Sequence, residues 1–208
     1  MTRGKFITIE GGEGAGKSTN IDFIQDYLEK NGISVVVTRE PGGTELSEQI
    51  RHILLDNQST NMSDDTELLL MFAARAQHIK ELIVPSLQEG KWVVCDRFTD
   101  ATYAYQGGGR GMDMQKIAHL EEWVQGNLRP DLTIILDLPV EIGMHRAGKR
   151  SDPDRFESEN HDFFNTVRDT YLTRAKTNPS RYAVIDAAPS LVNVQQQLEH
   201  VLGELVAK

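Results

Sequence analysis

The stretch from Gly11 to Ser18, which reads GGEGAGKS, constrains this chain more than any other feature. It fits the pattern G-x-x-x-x-G-K-[ST], in which glycines allow successive backbone N–H groups to point at phosphate oxygens. Lys17 adds a positive charge for the β- and γ-phosphates, and Ser18 offers its hydroxyl to Mg²⁺. The loop is therefore predicted to bind the phosphates of a nucleotide.

The residues on either side of the loop supply the context that this motif requires. Residues 5–10 predict a short strand, and Ile21, Ile24 and Leu28 recur at helical spacing after the loop. A helix that starts there directs the positive end of its dipole toward a bound anion. This order of strand, glycine loop and helix makes an incidental glycine-rich turn the weaker explanation.

The rest of the chain alternates between predicted strands and predicted helices. Further β-branched or apolar runs predict strands at residues 34–38, 91–96, 132–137 and 182–186. Helical spacing predicts helices at residues 44–55, from 63 or 64 through a kink at Pro85, and at 99–106, 114–124, 139–147, 159–176 and 191–206. The glycine-rich segment 107–111 is predicted to be irregular.

This alternation predicts an α/β fold with a five-stranded parallel sheet flanked by helices. Residues 1–208 show no repeat and no linker, and we interpret them as a single domain. The short basic segment at about residues 147–156 is predicted to be a mobile lid. In such folds ligands bind beyond the carboxyl ends of the strands.

Composition limits the class of ligand. The net charge of −9 argues against a nucleic-acid partner or an acidic membrane surface, because such proteins carry clustered positive charge. No apolar run approaches the roughly 20 residues of a membrane span, and no signal peptide is recognised at the start. The single cysteine, Cys95, is predicted to be a buried thiol, and we expect a cytoplasmic location.

Three predicted strands end in aspartate, at Asp96, Asp137 and Asp186. We favour Asp96 as a Mg²⁺ ligand, directly or through water, because Arg97 follows it. The other two aspartates are interpreted as turn or helix-capping residues.

Arginines are concentrated near the predicted strand ends and near the lid. They are Arg39, Arg51, Arg75, Arg97, Arg146, Arg150 and Arg155, with Lys149 beside them. Phosphoryl transfer needs such a set because charge spreads over the oxygens of the moving group. Together with the glycine loop, the arginines predict two phosphorylated ligands that face each other. A nucleotide-dependent switch is the alternative, but the chain lacks the Asn-Lys-x-Asp sequence of guanine-binding switches.

Four further segments make the pattern specific. They are REPGGT at 39–44, FAAR at 72–75, DRF at 96–98 and AYQGGGRG at 104–111. In this order and spacing the chain resembles bacterial thymidylate kinases along nearly its whole length. The resemblance implies a P-loop NTPase-type fold of the nucleoside monophosphate kinase group and a homodimer. It also implies transfer of the γ-phosphoryl group of ATP to dTMP with Mg²⁺, in dTTP biosynthesis. A kinase for another nucleoside monophosphate remains the nearest alternative.

The resemblance also implies roles for individual residues. The ATP-binding residues would be Gly11, Gly12, Glu13, Gly14, Ala15, Gly16, Lys17, Ser18 and Thr19. The dTMP-binding residues would be Glu13, Arg39, Pro41, Arg51, Met71, Phe72, Arg75, Arg97, Thr102, Tyr105 and Gln106. Metal ligands would be Ser18 and Asp96, and the catalytic residues would be Lys17, Arg97, Arg146 and Arg150.

Within that set, Arg51 and Arg97 are expected to hold the dTMP phosphate, and Arg75 to donate to a thymine carbonyl. Glu13 is expected near the deoxyribose 3′-hydroxyl, and Tyr105 is expected to close the space of a 2′-hydroxyl.

Two features leave alternatives open. Met71 and Phe72 lie four and three residues before Arg75, so either side chain is a candidate to contact the base. The glycine loop contains no arginine, which resembles family members that carry the transition-state cation in the lid. That cation would be Arg146, Lys149 or Arg150, and we favour Arg150. The six histidines show no metal-ligand or triad spacing, so none is assigned a role.

Overall fold

All five predicted strands are present and form one parallel sheet. The structure, a computed structural model, describes residues 3–59, 61–148 and 155–207. The strands are β1 (Phe6–Glu10), β2 (Val35–Arg39), β3 (Trp92–Asp96), β4 (Leu132–Asp137) and β5 (Tyr182–Asp186). Their order in the sheet is β2-β3-β1-β4-β5, and every neighbouring pair is parallel. The predicted α/β class is confirmed.

Helices connect the strands, as a parallel sheet requires. They are α1 (Lys17–Lys30), α2 (Glu45–Leu55), α3 (Asp64–His78), α4 (Val84–Gln88), α5 (Thr99–Thr102), α6 (Met114–Gln125), α7 (Val140–Ala147), α8 (His161–Thr177) and α9 (Leu191–Val206). Within the described ranges, no helix is both long enough and apolar enough to cross a bilayer.

The prediction of an irregular segment at 107–111 is wrong for its first three residues. A π-helix spans Tyr103–Gly109 and continues α5 directly. A Cβ on Gly107 would lie 2.5 Å from the sulfur of Met114, and a Cβ on Gly109 would overlap the Phe163 ring. Tertiary packing therefore selects glycine inside a helical turn, against its weak helix propensity.

The expected kink at Pro85 takes the form of a change in helix type. After α3, a π-helix spans Ile79–Ile83, and α4 then begins with Pro85 in its first turn. Because proline has no N–H to donate to the preceding turn, the regular α-helical hydrogen-bond pattern is interrupted at this point of the continuous helical segment.

The sheet is buried on both faces, which explains its apolar strands. All five residues of β1 are buried. On one face Ile7 and Ile9 pack into a cluster with residues of α1 and α9. On the other face Phe6 and Cys95 pack with residues of the α3–α4 region. Cys95 is a fully buried free thiol, as predicted, and burial raises its pKa.

Candidate active site

The glycine loop joins β1 to α1 and depends on glycine at two positions. Gly16, directly before α1, has φ of 86°, a left-handed conformation that costs glycine little. Gly14 has φ of 69°, and a Cβ there would overlap the carbonyl oxygen of Gly143 on α7. The loop therefore packs backbone against backbone on α7, with Ser18 and Thr19 exposed in the first turn of α1.

Lys17 bends back over the loop that precedes it. Its Nζ donates to the carbonyl oxygens of Gly11 and Gly12, each at 3.2 Å. Burial and the nearby charge of Arg97 lower the pKa of its ammonium group. A phosphate anion at this position would replace two long hydrogen bonds with charge-assisted ones.

A cleft of about 230 Å³ opens between the loop and the carboxyl ends of β2 and β3. Most residues predicted to bind ligands line it: Glu13, Gly14, Gly16, Lys17, Ser18, Arg39, Pro41, Arg51, Met71, Arg75, Asp96, Arg97, Thr102, Tyr105 and Gln106. The structure thus brings the glycine loop and the arginines of the middle of the chain into the lining of one cavity. Phe156, at the end of the predicted lid, and Glu157, directly after it, also line the cleft.

Arg97, Glu13 and Tyr105 form the polar centre of the cleft. Arg97 Nη2 and the Tyr105 hydroxyl donate to Glu13 Oε1 at 2.5 and 2.8 Å, and the guanidinium lies 4.7 Å from the Tyr105 ring centroid. Burial alone would raise the pKa of Glu13, but the charges of Arg97 and Lys17 outweigh it and lower that pKa to about 2. Glu13 is therefore ionised at neutral pH and offers acceptor atoms to a ligand.

Arg97 reaches this position through a strained backbone. Its φ is 65°, a left-handed value that a side chain with Cβ rarely adopts. The Arg97 N–H donates to Ile9 O at 2.9 Å, and the next N–H, of Phe98, donates to Glu10 Oε1 at 2.8 Å. These hydrogen bonds hold a conformation that otherwise costs about 1–3 kcal/mol.

Glu10 ends β1 beneath the cleft and is fully buried. Its second carboxyl oxygen lies 2.9 Å from the Tyr171 hydroxyl, which donates to it when the carboxyl group is ionised and can accept from it when the group is protonated. Burial, and then the negative charge of Asp100, raise the pKa of Glu10 to about 8. Glu10 is consequently protonated at neutral pH while Glu13, three residues later, is ionised.

Asp96 at the end of β3 has an unused oxygen. Its Oδ1 is buried and has no hydrogen-bond partner among the described residues. The other two strand-end aspartates have partners. Asp137 accepts two hydrogen bonds from Arg168, at 2.6 and 3.0 Å, instead of the expected turn or cap, whereas Asp186 accepts from the Ala188 N–H in a turn, as predicted.

The loop after β2 positions two arginines. Arg51 Nη1 donates to the carbonyl oxygen of Pro41 at 2.8 Å, which ties α2 to the REPGGT segment. Arg39 is exposed and forms a salt bridge of 2.9 Å with Glu48. Arg51 is therefore held by backbone at the cleft, while Arg39 lies at its rim.

Met71 and Phe72 occupy different places. Met71 lines the cleft, whereas Phe72 is almost fully buried and packs against the guanidinium of Arg75 at 4.8 Å from its ring centroid. Gln106 is buried and its Nε2 donates to Glu67 Oε1 at 2.7 Å. Thr102 Oγ1 accepts a hydrogen bond of 2.9 Å from Arg75.

The lid residues are only partly within the described ranges. Lys149 and the favoured Arg150 lie outside them. Arg146, near the end of α7, donates to the carbonyl oxygen of Ala187 at 3.3 Å, away from the cleft lining described above. Arg155 forms a salt bridge of 2.6 Å with the buried Glu67 and donates to Leu54 O.

Several buried polar residues around the cleft were not assigned a role from sequence. They are Glu10, Glu40, Glu67, His78, Asp100 and Tyr171. Glu10 and Glu40 are adjacent to or within recognised motifs, so sequence position could have marked them as site residues. No sequence feature marks Tyr171, because the residue that it contacts, Glu10, is 161 positions away.

Comparison of the sequence with known proteins points to one enzyme family. The family model described as thymidylate kinase matches residues 9–198. A thymidylate kinase of Pseudomonas syringae pv. tomato is 60% identical over 203 residues, which cover 98% of this chain and 97% of that protein. One from Vesicomyosocius okutanii is 57% identical over 99% of this chain and 100% of that protein.

A solved structure is similar as well. The crystal structure of thymidylate kinase from Ehrlichia chaffeensis superposes with a TM-score of 0.77 at 35% sequence identity, over 97% of this chain and 99% of that chain. With the glycine loop, the arginine-lined cleft and these matches together, the chain belongs to the thymidylate kinase family.

Proposed function

We propose that this chain transfers the γ-phosphoryl group of ATP to the phosphate of dTMP, which yields ADP and dTDP. Family membership supports this activity. The observation that carries it is one cleft whose lining combines the glycine loop with Arg51 and Arg97. In this proposal two phosphorylated ligands would bind there with their phosphates adjacent.

ATP is assigned to the glycine loop, residues Gly11 to Thr19. The N–H groups of the loop and of the first turn of α1 would surround the phosphates, and Lys17 would leave its carbonyl partners to contact them. The unpaired Oδ1 of Asp96 and the exposed hydroxyl of Ser18 fit a hydrated Mg²⁺ ion that arrives with ATP. When bound, that ion neutralises charge on the phosphate oxygens.

The acceptor dTMP is assigned to the arginine side of the cleft. Arg51 and Arg97 would bind its phosphate, with Arg39 and Pro41 at the rim. The ionised carboxylate of Glu13 is suited to accept a hydrogen bond from the deoxyribose 3′-hydroxyl. Tyr105 would close the space next to the sugar.

The base is assigned to the inner end of the cleft. Met71 lines it, so we propose that Met71 contacts the base, while Phe72 supports Arg75 from behind. Thr102 and Gln106 complete this wall. The buried Arg75 would donate one N–H to a thymine carbonyl.

The reaction proposed is a direct in-line transfer without a covalent enzyme intermediate. The dTMP phosphate is anionic at neutral pH, so positioning and charge neutralisation supply the catalysis and no general base is required. Lys17 and Arg97 would provide positive charge in the cleft, and Arg150 in the lid would provide the transition-state cation. Arg150→Ala is expected to lower turnover more than ATP affinity, and a change in affinity alone would assign this charge to another residue.

The assembly is part of the same proposal. We propose a single domain whose lid, at about residues 147–156, closes over ATP, in a homodimer located in the cytoplasm. The exposed apolar side chains of Leu69 on α3 and Trp123 on α6 support a contact with a second copy, because these two helices pack side by side. A buried free thiol is compatible with a reducing compartment.

The test is ADP release, coupled to a detecting enzyme, with ATP, Mg²⁺ and one acceptor at a time. The acceptors are dTMP, dUMP, UMP, CMP and AMP. We expect dTMP to give the highest kcat/KM. Equal release with AMP or CMP would indicate another nucleoside monophosphate kinase, and release without dependence on any acceptor would contradict the proposed transfer.

A further inference from the structure

We infer that Glu40 and His78 are positioning residues for base recognition: they fix the Arg75 guanidinium so that one N–H points into the cleft. This inference rests on the proposed function, because it concerns the end of the cleft assigned to the thymine ring. Glu40 lines the cleft, but both of its carboxyl oxygens are used by Arg75 and His78, and neither Glu40 nor His78 is assigned a contact with a substrate.

Arg75 uses most of its donors inside the protein. Its Nε donates to Glu40 Oε2 at 2.7 Å, and its Nη2 donates to Phe98 O at 3.2 Å and to Thr102 Oγ1 at 2.9 Å. Its Nη1 is buried and has no hydrogen-bond partner among the described residues. Because Arg75 lines the cleft, this unused donor is available to a ligand there.

Aromatic rings also restrict the orientation of the plane of the Arg75 guanidinium group. The group lies 4.8 Å from the ring centroid of Phe72 and 5.1 Å from that of Phe98. Stacking on two aromatic rings limits rotation of the plane, while the hydrogen bonds to Glu40 and Thr102 define which edge faces the cleft.

Glu40 is in turn held by a second buried group. Its Oε1 contacts His78 Nδ1 at 2.9 Å, and His78 Nε2 contacts Thr38 Oγ1 at 2.7 Å. The carboxylate can only accept, so Nδ1 of His78 carries a hydrogen. Burial would raise the pKa of Glu40, but the Arg75 charge and the His78 hydrogen bond outweigh it and lower the pKa. Glu40 is therefore a charged partner with both oxygens occupied.

The absence of a side chain at Gly43 leaves room for the hydrogen bond between His78 and Thr38. Gly43, in the loop after β2, has φ of 88°, and a Cβ there would lie 2.5 Å from both His78 Nε2 and Thr38 Oγ1. The loop whose Pro41 carbonyl holds Arg51 thus closes directly over the His78–Thr38 hydrogen bond. The same loop therefore supports both Arg51, at the proposed phosphate end of the acceptor site, and the contacts that hold Arg75, at the proposed base end.

The functional consequence concerns the acceptor alone. A buried N–H that finds no ligand carbonyl is costly, so a fixed Arg75 favours a base with a carbonyl at the right place. If Glu40 or His78 is altered, Arg75 can rotate and pair elsewhere, and the affinity for dTMP falls. ATP contacts none of these residues in the proposed arrangement, so its affinity is expected to stay unchanged.

The experiment measures dTMP binding by calorimetry for Glu40→Gln, Arg75→Met and the double variant, with the KM for ATP measured in parallel. We expect Glu40→Gln to weaken dTMP binding by about tenfold in the wild-type background and by less than about twofold when Arg75 is already replaced by methionine, since residues that act through one contact are non-additive. Equal losses in both backgrounds, or a matching rise in the ATP KM, would overturn the inference.

Two further variants serve as a control and as a replacement for Glu40→Gln if that variant does not fold. Glu121→Gln is the control, because Glu121 on α6 is also a buried carboxylate, pairs with Arg129 at 2.7 Å, accepts from the Tyr103 hydroxyl at 2.7 Å and does not line the cleft. It is expected to leave dTMP affinity unchanged. If Glu40→Gln does not fold, Thr38→Val tests the inference instead, because it removes only the hydrogen bond between Thr38 and His78 and keeps the shape of the side chain.

Thr38→Val is expected to weaken dTMP binding by about threefold, at the low end of the energy of a hydrogen bond. Unchanged binding would overturn the inference. A wild-type protein that binds no dTMP would instead contradict the proposed function.

Discussion

Replacing Glu10 by glutamine is predicted to change how the stability of the protein depends on pH. In the folded state the pKa of Glu10 is raised to about 8 by burial and by the charge of Asp100. The folded protein therefore holds a proton on Glu10 between about pH 4.5 and 8, whereas the unfolded chain has released it. Each rise of one pH unit in this window costs the folded state about 1.4 kcal/mol.

Over the whole window the cost is roughly 4–5 kcal/mol, which is a large part of the stability of an ordinary domain. Glutamine is the neutral isostere of the protonated carboxyl group. Its amide oxygen can accept from the Phe98 N–H, and its amide N–H can donate to the Tyr171 oxygen, in place of the contacts made by Glu10. The introduced amide cannot titrate, so the cost disappears.

The assay is urea unfolding of both proteins at several pH values from about 5 to about 8.5, followed by circular dichroism. The free energy of unfolding of Glu10→Gln relative to wild type is expected to rise steadily with pH. Glu13→Gln is the control, because the pKa of Glu13 is lowered from 4.5 to about 2, so its contribution to stability changes only below pH 4.5 and with the opposite sign. Parallel pH profiles for Glu10→Gln and wild type would refute this explanation.

Three other substitutions test the proposed site. Arg97→Met is expected to lower kcat/KM by about 10²- to 10³-fold while circular dichroism stays native; an active enzyme would contradict its role. Tyr105→Ala is expected to reduce the ratio of kcat/KM for dUMP to kcat/KM for UMP by about tenfold or more, whereas Tyr105→Phe, which keeps the ring, should leave that ratio unchanged. An unchanged ratio in Tyr105→Ala would contradict the proposed role of Tyr105 in the sugar pocket. Gly14→Ala is expected to lose about 1–3 kcal/mol of stability and to raise the KM for ATP, because its Cβ would overlap Gly143. Gly12→Ala, whose Cβ meets no atom within 4 Å, is the steric control and should unfold at nearly the wild-type temperature.

The features that could be predicted from sequence are those encoded within a few residues. The glycine loop and the five apolar strands are local patterns, and parallel pairing follows from their alternation with helices. The prediction failed where packing between distant segments decides. The glycines at 107–109 are helical because Met114 and Phe163 leave no space for a side chain.

Supporting contacts of the site were also beyond sequence reasoning. Glu40 and His78 are 38 residues apart, and only the fold brings the carboxylate and the imidazole together. The histidines lacked any recognised spacing, so none was assigned a role. Likewise Asp96 and Asp137 both end apolar strands, and the sequence does not show that Arg168 occupies both oxygens of Asp137.

The central claim is that two nucleotides meet phosphate to phosphate in one cleft. A crystal structure with dTMP and a non-hydrolysable ATP analogue tests it most directly. We predict the dTMP phosphate within hydrogen-bonding distance of Arg51 and Arg97, its base beside Arg75, and the triphosphate in the loop at Gly11–Ser18. Finding dTMP at any other place on the protein, or both nucleotides with their phosphates far apart, would contradict the account.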